Sequence, residues 1–188
     1  MKMLWRLLLV ALFALALWPE FPRYQAEWRL YDANFRVAQA LRMSQSAARS
    51  SAADADRAAL SQVTLAETLA AQAAAALPGD PRAVLTQSIA LIMIRRGADA
   101  VALLEAAINA GERPEFTINL GRARTTLGDE AGANAAYLRT AWASPQAIVT
   151  LPRAMREDLQ HQVERLDAQL RAGQLSAPPL RDAAPSPK

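Results

Sequence analysis

The 188-residue chain contains no cysteine. That excludes disulfide bridges and thiolate chemistry, and it fits an oxidising or a reducing compartment equally well. Histidine occurs once, at His161, and glycine only 7 times. With a single histidine, a metal site would need several carboxylates around it at helical spacing. Glu157, Asp158, His161 and Glu164 come nearest, and they read better as a solvated helix face with i,i+4 pairs. No glycine-rich loop stands between a strand and a helix to cradle phosphate, and no Gly-x-Ser-x-Gly or comparable nucleophile setting occurs. Nor does any stretch alternate apolar and polar residues between turn signals, so no strand is expected. These absences point to a protein that is not an enzyme, with no cofactor, no metal and no small-molecule substrate.

What is present is alanine, which makes up much of the 52% hydrophobic content. Alanine has the lowest helical cost of any residue, so an Ala-rich, Gly-poor chain is expected to be all-α. The length suits one domain plus appendages. The net charge is +3 and the pI is near 9.8, but the arginines are spread among comparable acids. No Lys/Arg run interleaves with aromatics, so no nucleic-acid partner is implied.

The N-terminus, "MKMLWRLLLVALFALALWPEFPR", places Lys2 and Arg6 before an apolar run from Leu7 to Trp18. Twelve helical residues reach about 18 Å, short of a hydrocarbon core of roughly 30 Å. Adding Met3 to Trp5, with Arg6 snorkelling to the headgroups, brings a span within reach, and Trp5 and Trp18 would then mark the two interfaces. Residues 1–22 are therefore expected to be an anchor that meets the bilayer through residues 3–18. The short basic flank stays inside, which gives a single pass in a bacterial inner membrane with a cytoplasmic N-terminus and a periplasmic bulk. The competing reading is a signal peptide cleaved after Ala14-Leu15-Ala16, which would release a soluble periplasmic binding module.

Residues 23–43 are expected to form a juxtamembrane helix. Tyr24, Trp28, Tyr31 and Phe35 follow at steps of four, three and four, one stripe along a helix, and Leu30, Val37 and Leu41 widen the apolar face. Such a stripe can lie on the bilayer interface, bind a membrane partner, or pack on the protein's own domain. Self-packing is the expectation, and Trp28 and Tyr31 are the candidate partner contacts if it does not hold.

The polar stretch Ser44 to Arg57 reads as a break, and Thr64-x-x-Glu67 as a capping box opening the next helix. Strong stops follow at Pro78-Gly79-Asp80-Pro81, Gly97, Gly111 to Pro114 and Gly128-Asp129. Helices are thus expected to end at Leu77 and to cover Arg82–Arg96, Asp99–Ala110, Glu115–Leu127 and Glu130–Trp142. Aligning Gly97 with Gly128 gives two copies of one unit at a period of 31 positions, placing Ala102 on Ala133, Ile89 on Leu120 and Pro114 on Pro145.

In the second copy, "FTINLGRARTTLGDEAGANAAYLRTAWASP", close crossing of two helices explains Gly121 and Ala133, with Tyr137 filling the groove beside them. These residues resemble the tetratricopeptide repeat: Leu120-Gly121 match its Leu-Gly pair, Ala133-x-x-x-Tyr137 its Ala-x-x-x-aromatic, and Pro145 its terminal proline. Thr117, Arg124 and Thr140 depart from the pattern, standing where the family prefers Trp, Tyr and Ala. The upstream copy is weaker. The resemblance implies stacked helical hairpins over residues 64–172. Their closing element would be a capping helix with Met155, Leu159, Val163, Leu166 and Leu170 on one face. Residues 173–188 read as a disordered Pro/Ala-rich tail.

The resemblance also implies a concave groove lined by the first helix of each unit. Carried over by position, Glu115, Ile118, Asn119, Arg122 and Thr125 of the second unit would face it, with Val84, Gln87, Ser88 and Leu91 of the first. Asn119 and Arg122 are the residues packing does not require. The expected function is a non-catalytic, membrane-anchored scaffold that assembles or docks a cell-envelope complex by binding protein partners. The alternative is an integral structural subunit of an inner-membrane complex, which contacts partners through the anchor and the aromatic helix.

Overall fold

The computed structural model describes residues 6, 12–13, 15, 17–47 and 52–175. Among the described residues the protein is all-α, with seven α-helices and two short 3-10 turns. They fall into two compact units that divide between Ile94 and Arg95, inside the domain expected over 64–172.

The first unit is built on a long hairpin. α1 spans Phe21–Ala47 and α2 spans Ala52–Ala76. Pro22 lies in the first turn of α1, where a missing N–H costs nothing. The expected break over residues 44–57 is therefore much shorter, because α1 runs on to Ala47 and α2 begins at Ala52. Thr64 does not open a helix either: it sits inside α2 and donates its hydroxyl to Leu60 O at 2.9 Å. The run from Ala52 to Val63 is helical because alanine favours helix, although it carries no wide apolar stripe for sequence reading to find.

The hairpin is zipped by small residues. Ala26, Leu30, Ala33, Val37 and Ala40 of α1 are buried, as are Ala59, Val63, Ala66, Ala70 and Ala73 of α2. Both sets step by four and three, the spacing of a coiled-coil seam. Alanine at most of these positions lets the two backbones approach closely. α3, Pro81–Met93, closes the unit with Ala83, Thr86 and Ala90 buried. Asp80 caps it by accepting Arg82 N–H at 2.8 Å, and Pro81 fills the first helical position. Thr86 Oγ1 donates to Asn34 Oδ1 at 2.8 Å, and Arg82 pairs with Glu27 at 2.8 Å, tying α3 to α1.

The second unit contains α4 (Gly97–Ala110), α5 (Pro114–Thr126), α6 (Glu130–Ala143), a 3-10 turn over Ala147–Thr150 and α7 (Arg153–Arg171). α6 ends as expected before Pro145, with Ser144 held in the extended conformation that a following proline favours. Ile118, Ala133, Tyr137, Ala141, Ile148, Leu151 and Leu159 form the core between α5, α6, the turn and α7. Of the apolar stripe on α7, Leu159 is fully buried and Met155 is exposed.

The spacing of the helices corrects the expected period. Pro81 and Pro114 each begin a helix and lie 33 positions apart, as do Gly97 and Glu130, which begin the next two. The 31-position alignment paired two glycines with different tasks. Gly128 takes φ +76 in its turn, whereas Gly97 is helical and buried, and a Cβ there would lie 2.3 Å from Thr126 Oγ1. The positive-φ residue before α4 is Arg95. In the 33-position register Ala100, not Ala102, matches Ala133: Ala100 is buried and Ala102 is exposed. Pro114 correspondingly matches Pro81 at a helix start, not Pro145 in its turn.

No helix among the described residues is long and apolar enough to cross a membrane. The anchor expected over residues 3–18 lies mostly outside the described residues, as does the tail expected over 173–188.

Candidate functional site

The expected groove residues of the second unit are largely occupied by the fold itself. Ile118 belongs to the core, packed with Ile148 and Leu159, and Leu120 is buried on the same helix. Asn119 is only 4% exposed. Its Nδ2 donates to Glu115 O at 3.0 Å, and its Oδ1 accepts from Arg122 Nη1 at 3.0 Å. Arg122 in turn donates through Nη2 to Thr150 Oγ1 at 2.5 Å. Asn119 and Arg122 are thus a bridge from α5 to the 3-10 turn, which corrects the expectation that packing leaves them free. The physical reason is that the 3-10 turn lies against the face of α5 that a groove would have left open. Glu115 and Thr125 are exposed, and Thr125 donates to Gly121 O at 3.0 Å. In the first unit Ser88 and Leu91 are buried, and the half-buried Gln87 donates to Glu67 Oε1 at 3.2 Å.

The departures from the repeat pattern also find structural uses. Thr117 and Thr140 are both buried and their hydroxyls lie 2.8 Å apart across α5 and α6. Arg124 donates to Glu105 Oε1 at 3.0 Å and to Gly132 O at 3.2 Å, linking α4, α5 and α6. Sequence reading saw each departure singly. Residues 23 positions apart that compensate for each other are visible only once the helices are paired.

Gly121 meets its expected role. A Cβ at this position would lie 2.4 to 2.8 Å from ring atoms of Tyr137, so the ring lies directly against the glycine.

The aromatic stripe of α1 is where expectation and structure part most clearly. Tyr24, Trp28, Tyr31 and Phe35 do not pack on the described residues: Trp28 is 72% exposed and Tyr31 67%, and the others are more than half exposed. Phe21 joins them one turn earlier and is also exposed. At about 100° per residue these side chains occupy an arc of about 80°. The buried residues Ala26 to Ala40 centre on the opposite side of the same helix. The rings of Trp28 and Tyr31 meet edge to face with centroids 6.2 Å apart, a mutual contact that leaves both outer faces open. Leu41, expected to widen a buried face, is exposed. The physical reason lies in α2, whose seam residues are mainly alanine: only a small-residue face of α1 can lie close against it, and the aromatic face cannot.

The chemistry elsewhere is that of ion pairs. The Arg82 guanidinium grips Asp80 through two nitrogens, at 3.1 and 2.6 Å, and this hydrogen bonding holds the Asp80 carboxyl below its ordinary value near 3.8. The same bond, with that to Glu27, raises the pKa of Arg82. His161 lies 3.5 Å from Glu164 on the surface of α7, both three-quarters exposed. Among the described residues no group of three or more His, Asp or Glu side chains is placed to hold a metal ion.

No family model matches the chain, and neither a curated protein nor a solved structure is significantly similar to it.

Proposed function

We propose that this chain is a non-catalytic interaction subunit of a cell-envelope complex, which docks a protein partner through the aromatic face of α1. The observation that carries this reading is the exposure of Phe21, Tyr24, Trp28, Tyr31 and Phe35 as one continuous stripe on a helix whose other side is fully used. Contiguous apolar surface of this extent on a monomer marks an interaction site. The basic flank and apolar run of residues 2–18 support a membrane anchor that would carry α1 out of a bacterial inner membrane on its periplasmic side. The recurrence of helix starts at 33 positions, with Gly121 under Tyr137, supports a degenerate tetratricopeptide-like array with α7 as its capping helix. In this reading the helices of residues 81–143 are a scaffold, and docking belongs to α1.

The full-length protein, extracted in mild detergent, is expected to co-purify with a larger complex. Trp28→Ala with Tyr31→Ala should abolish that association while the circular dichroism spectrum stays unchanged, because both side chains are exposed. A folded double variant that still co-purifies at the wild-type level, or a wild type always recovered as a free monomer, refutes the reading.

A further inference from the structure

The exposed face of α1 is patterned more strictly than a merely apolar face. Phe21, Tyr24, Trp28, Tyr31 and Phe35 alternate steps of three and four, which is the a/d spacing of a coiled-coil seam. The same spacing runs along Ala26 to Ala40 on the opposite side, where α2 covers it with a matching seam of its own. α1 therefore carries two seams, and among the described residues only the alanine seam has a partner helix. The next positions of the aromatic register, Ala38 and Arg42, end it.

The rim decides between possible occupants. In this register the positions beside the seam hold Glu20, Glu27 and Asp32, with Gln25 and Asn34, and no Lys or Arg. Glu27 and Asp32 pair with Arg82 and Arg36, yet their side chains keep 40% and 44% of their accessible surface. An anionic bilayer surface recruits helices rimmed by Lys and Arg, so an acidic rim disfavours it. A second copy of α1 fares no better in antiparallel pairing, where acid would face acid.

We propose that the aromatic seam of α1 forms a coiled-coil-type pair with a helix of a partner protein that has apolar residues at a/d spacing and Lys or Arg beside them. The proposal rests on the reading of this face as a protein-docking surface and specifies what docks there. The seam from Phe21 to Phe35 is about 21 Å long, so the partner supplies about four helical turns. Basic residues beside its seam would meet Glu20, Glu27 and Asp32, which sets register and partner choice more than affinity.

The test is photocrosslinking in the full-length protein, in its native membranes, with p-benzoylphenylalanine in place of Trp28. The expected adduct is to a helical segment with apolar residues at steps of three and four and Lys or Arg flanking them. Glu20→Lys with Asp32→Lys should lower its yield about tenfold without altering the circular dichroism spectrum. An adduct to lipid, or none, overturns both this proposal and the docking reading beneath it. An adduct to another copy of this chain, to a loop, or to an acid-flanked helix overturns the helix-pair proposal alone. So does a yield that charge reversal leaves unchanged.

Discussion

Replacing Gly121 by alanine tests the packing logic of the second unit at one atom. In an unconstrained helix interior the change should stabilise by about 1 kcal/mol, because alanine is the better helix former. Here the added Cβ would stand 2.4, 2.5 and 2.8 Å from three ring atoms of Tyr137, inside any tolerable carbon–carbon contact. The ring must retreat by about 1 Å to restore ordinary van der Waals separation. It has little room to do so, being 5% exposed and packed with Ile118, Ala133 and Leu159, and its hydroxyl lies 3.3 Å from Thr125 Oγ1. Overpacking of this kind costs about 1–3 kcal/mol. After the helical gain, Gly121→Ala should destabilise by about 0–2 kcal/mol, read as a lower urea midpoint at unchanged slope for the full chain in detergent. The decisive comparison is the same change beside Tyr137→Leu. With the ring gone, Gly121→Ala should become neutral or stabilising, a coupling of about 1–3 kcal/mol. If Gly121→Ala alone stabilises the protein by about 1 kcal/mol, Tyr137 does not lie on Gly121 and the account of this hairpin is wrong.

Two further predictions concern polar groups. Thr117→Val or Thr140→Val should each cost about 0.5–1.5 kcal/mol by removing the bond between the two hydroxyls, since the remaining hydroxyl keeps its bond to Pro114 O or Ala136 O, while the double change costs less than the two singles added. Additive losses in a double-mutant cycle would refute the pairing. Asp80→Ala should cost about 1 kcal/mol through loss of the cap on α3. Because the folded pKa of Asp80 is depressed, its contribution is fully present above the unfolded value near 3.8 and is lost as pH falls through the lower folded value. The difference between wild type and Asp80→Ala should therefore shrink below about pH 4; a gap in urea midpoint that stays constant from pH 6 to pH 3 would refute it.

Much of the helical order was legible because glycine and proline punctuate it. The stops at Pro78-Gly79 and Gly128-Asp129 and the helix starts near Pro81 and Pro114 fall within a few residues of the sequence reading, since each residue acts on its own backbone. The period was misread because a glycine can serve a turn or a close contact, and sequence does not say which. Gly128 does the first, Gly97 the second, and Arg95 takes up the left-handed conformation in the place where a glycine was sought. Asn119 and Arg122 were misread for a related reason. Their partners are a backbone carbonyl, each other and Thr150, which lies 28 positions beyond Arg122 and is brought near only by the 3-10 turn.

The aromatic stripe shows a deeper limit. Tyr24, Trp28, Tyr31 and Phe35 carry the largest apolar side chains of α1 on one face, and burial of such a face is the ordinary inference. What fixes the buried side is complementarity with α2, and α2 offers mainly alanine. Two helices zipped through alanine gain from close approach of their backbones, so each contributes a small-residue seam, and a tryptophan inserted there would force them apart. The same sequence feature that looks weak, Ala26, Ala33 and Ala40 at seven-residue intervals, is therefore the one that folds. The aromatic seam is left outward because nothing among the described residues has the shape to receive it. A helix that satisfies its own core with small side chains, and holds its large ones in register on the far side, has its folding and its binding surfaces separated. Changes at Trp28 and Tyr31 should then alter association with little effect on stability, and changes at Ala33 and Ala66 the reverse.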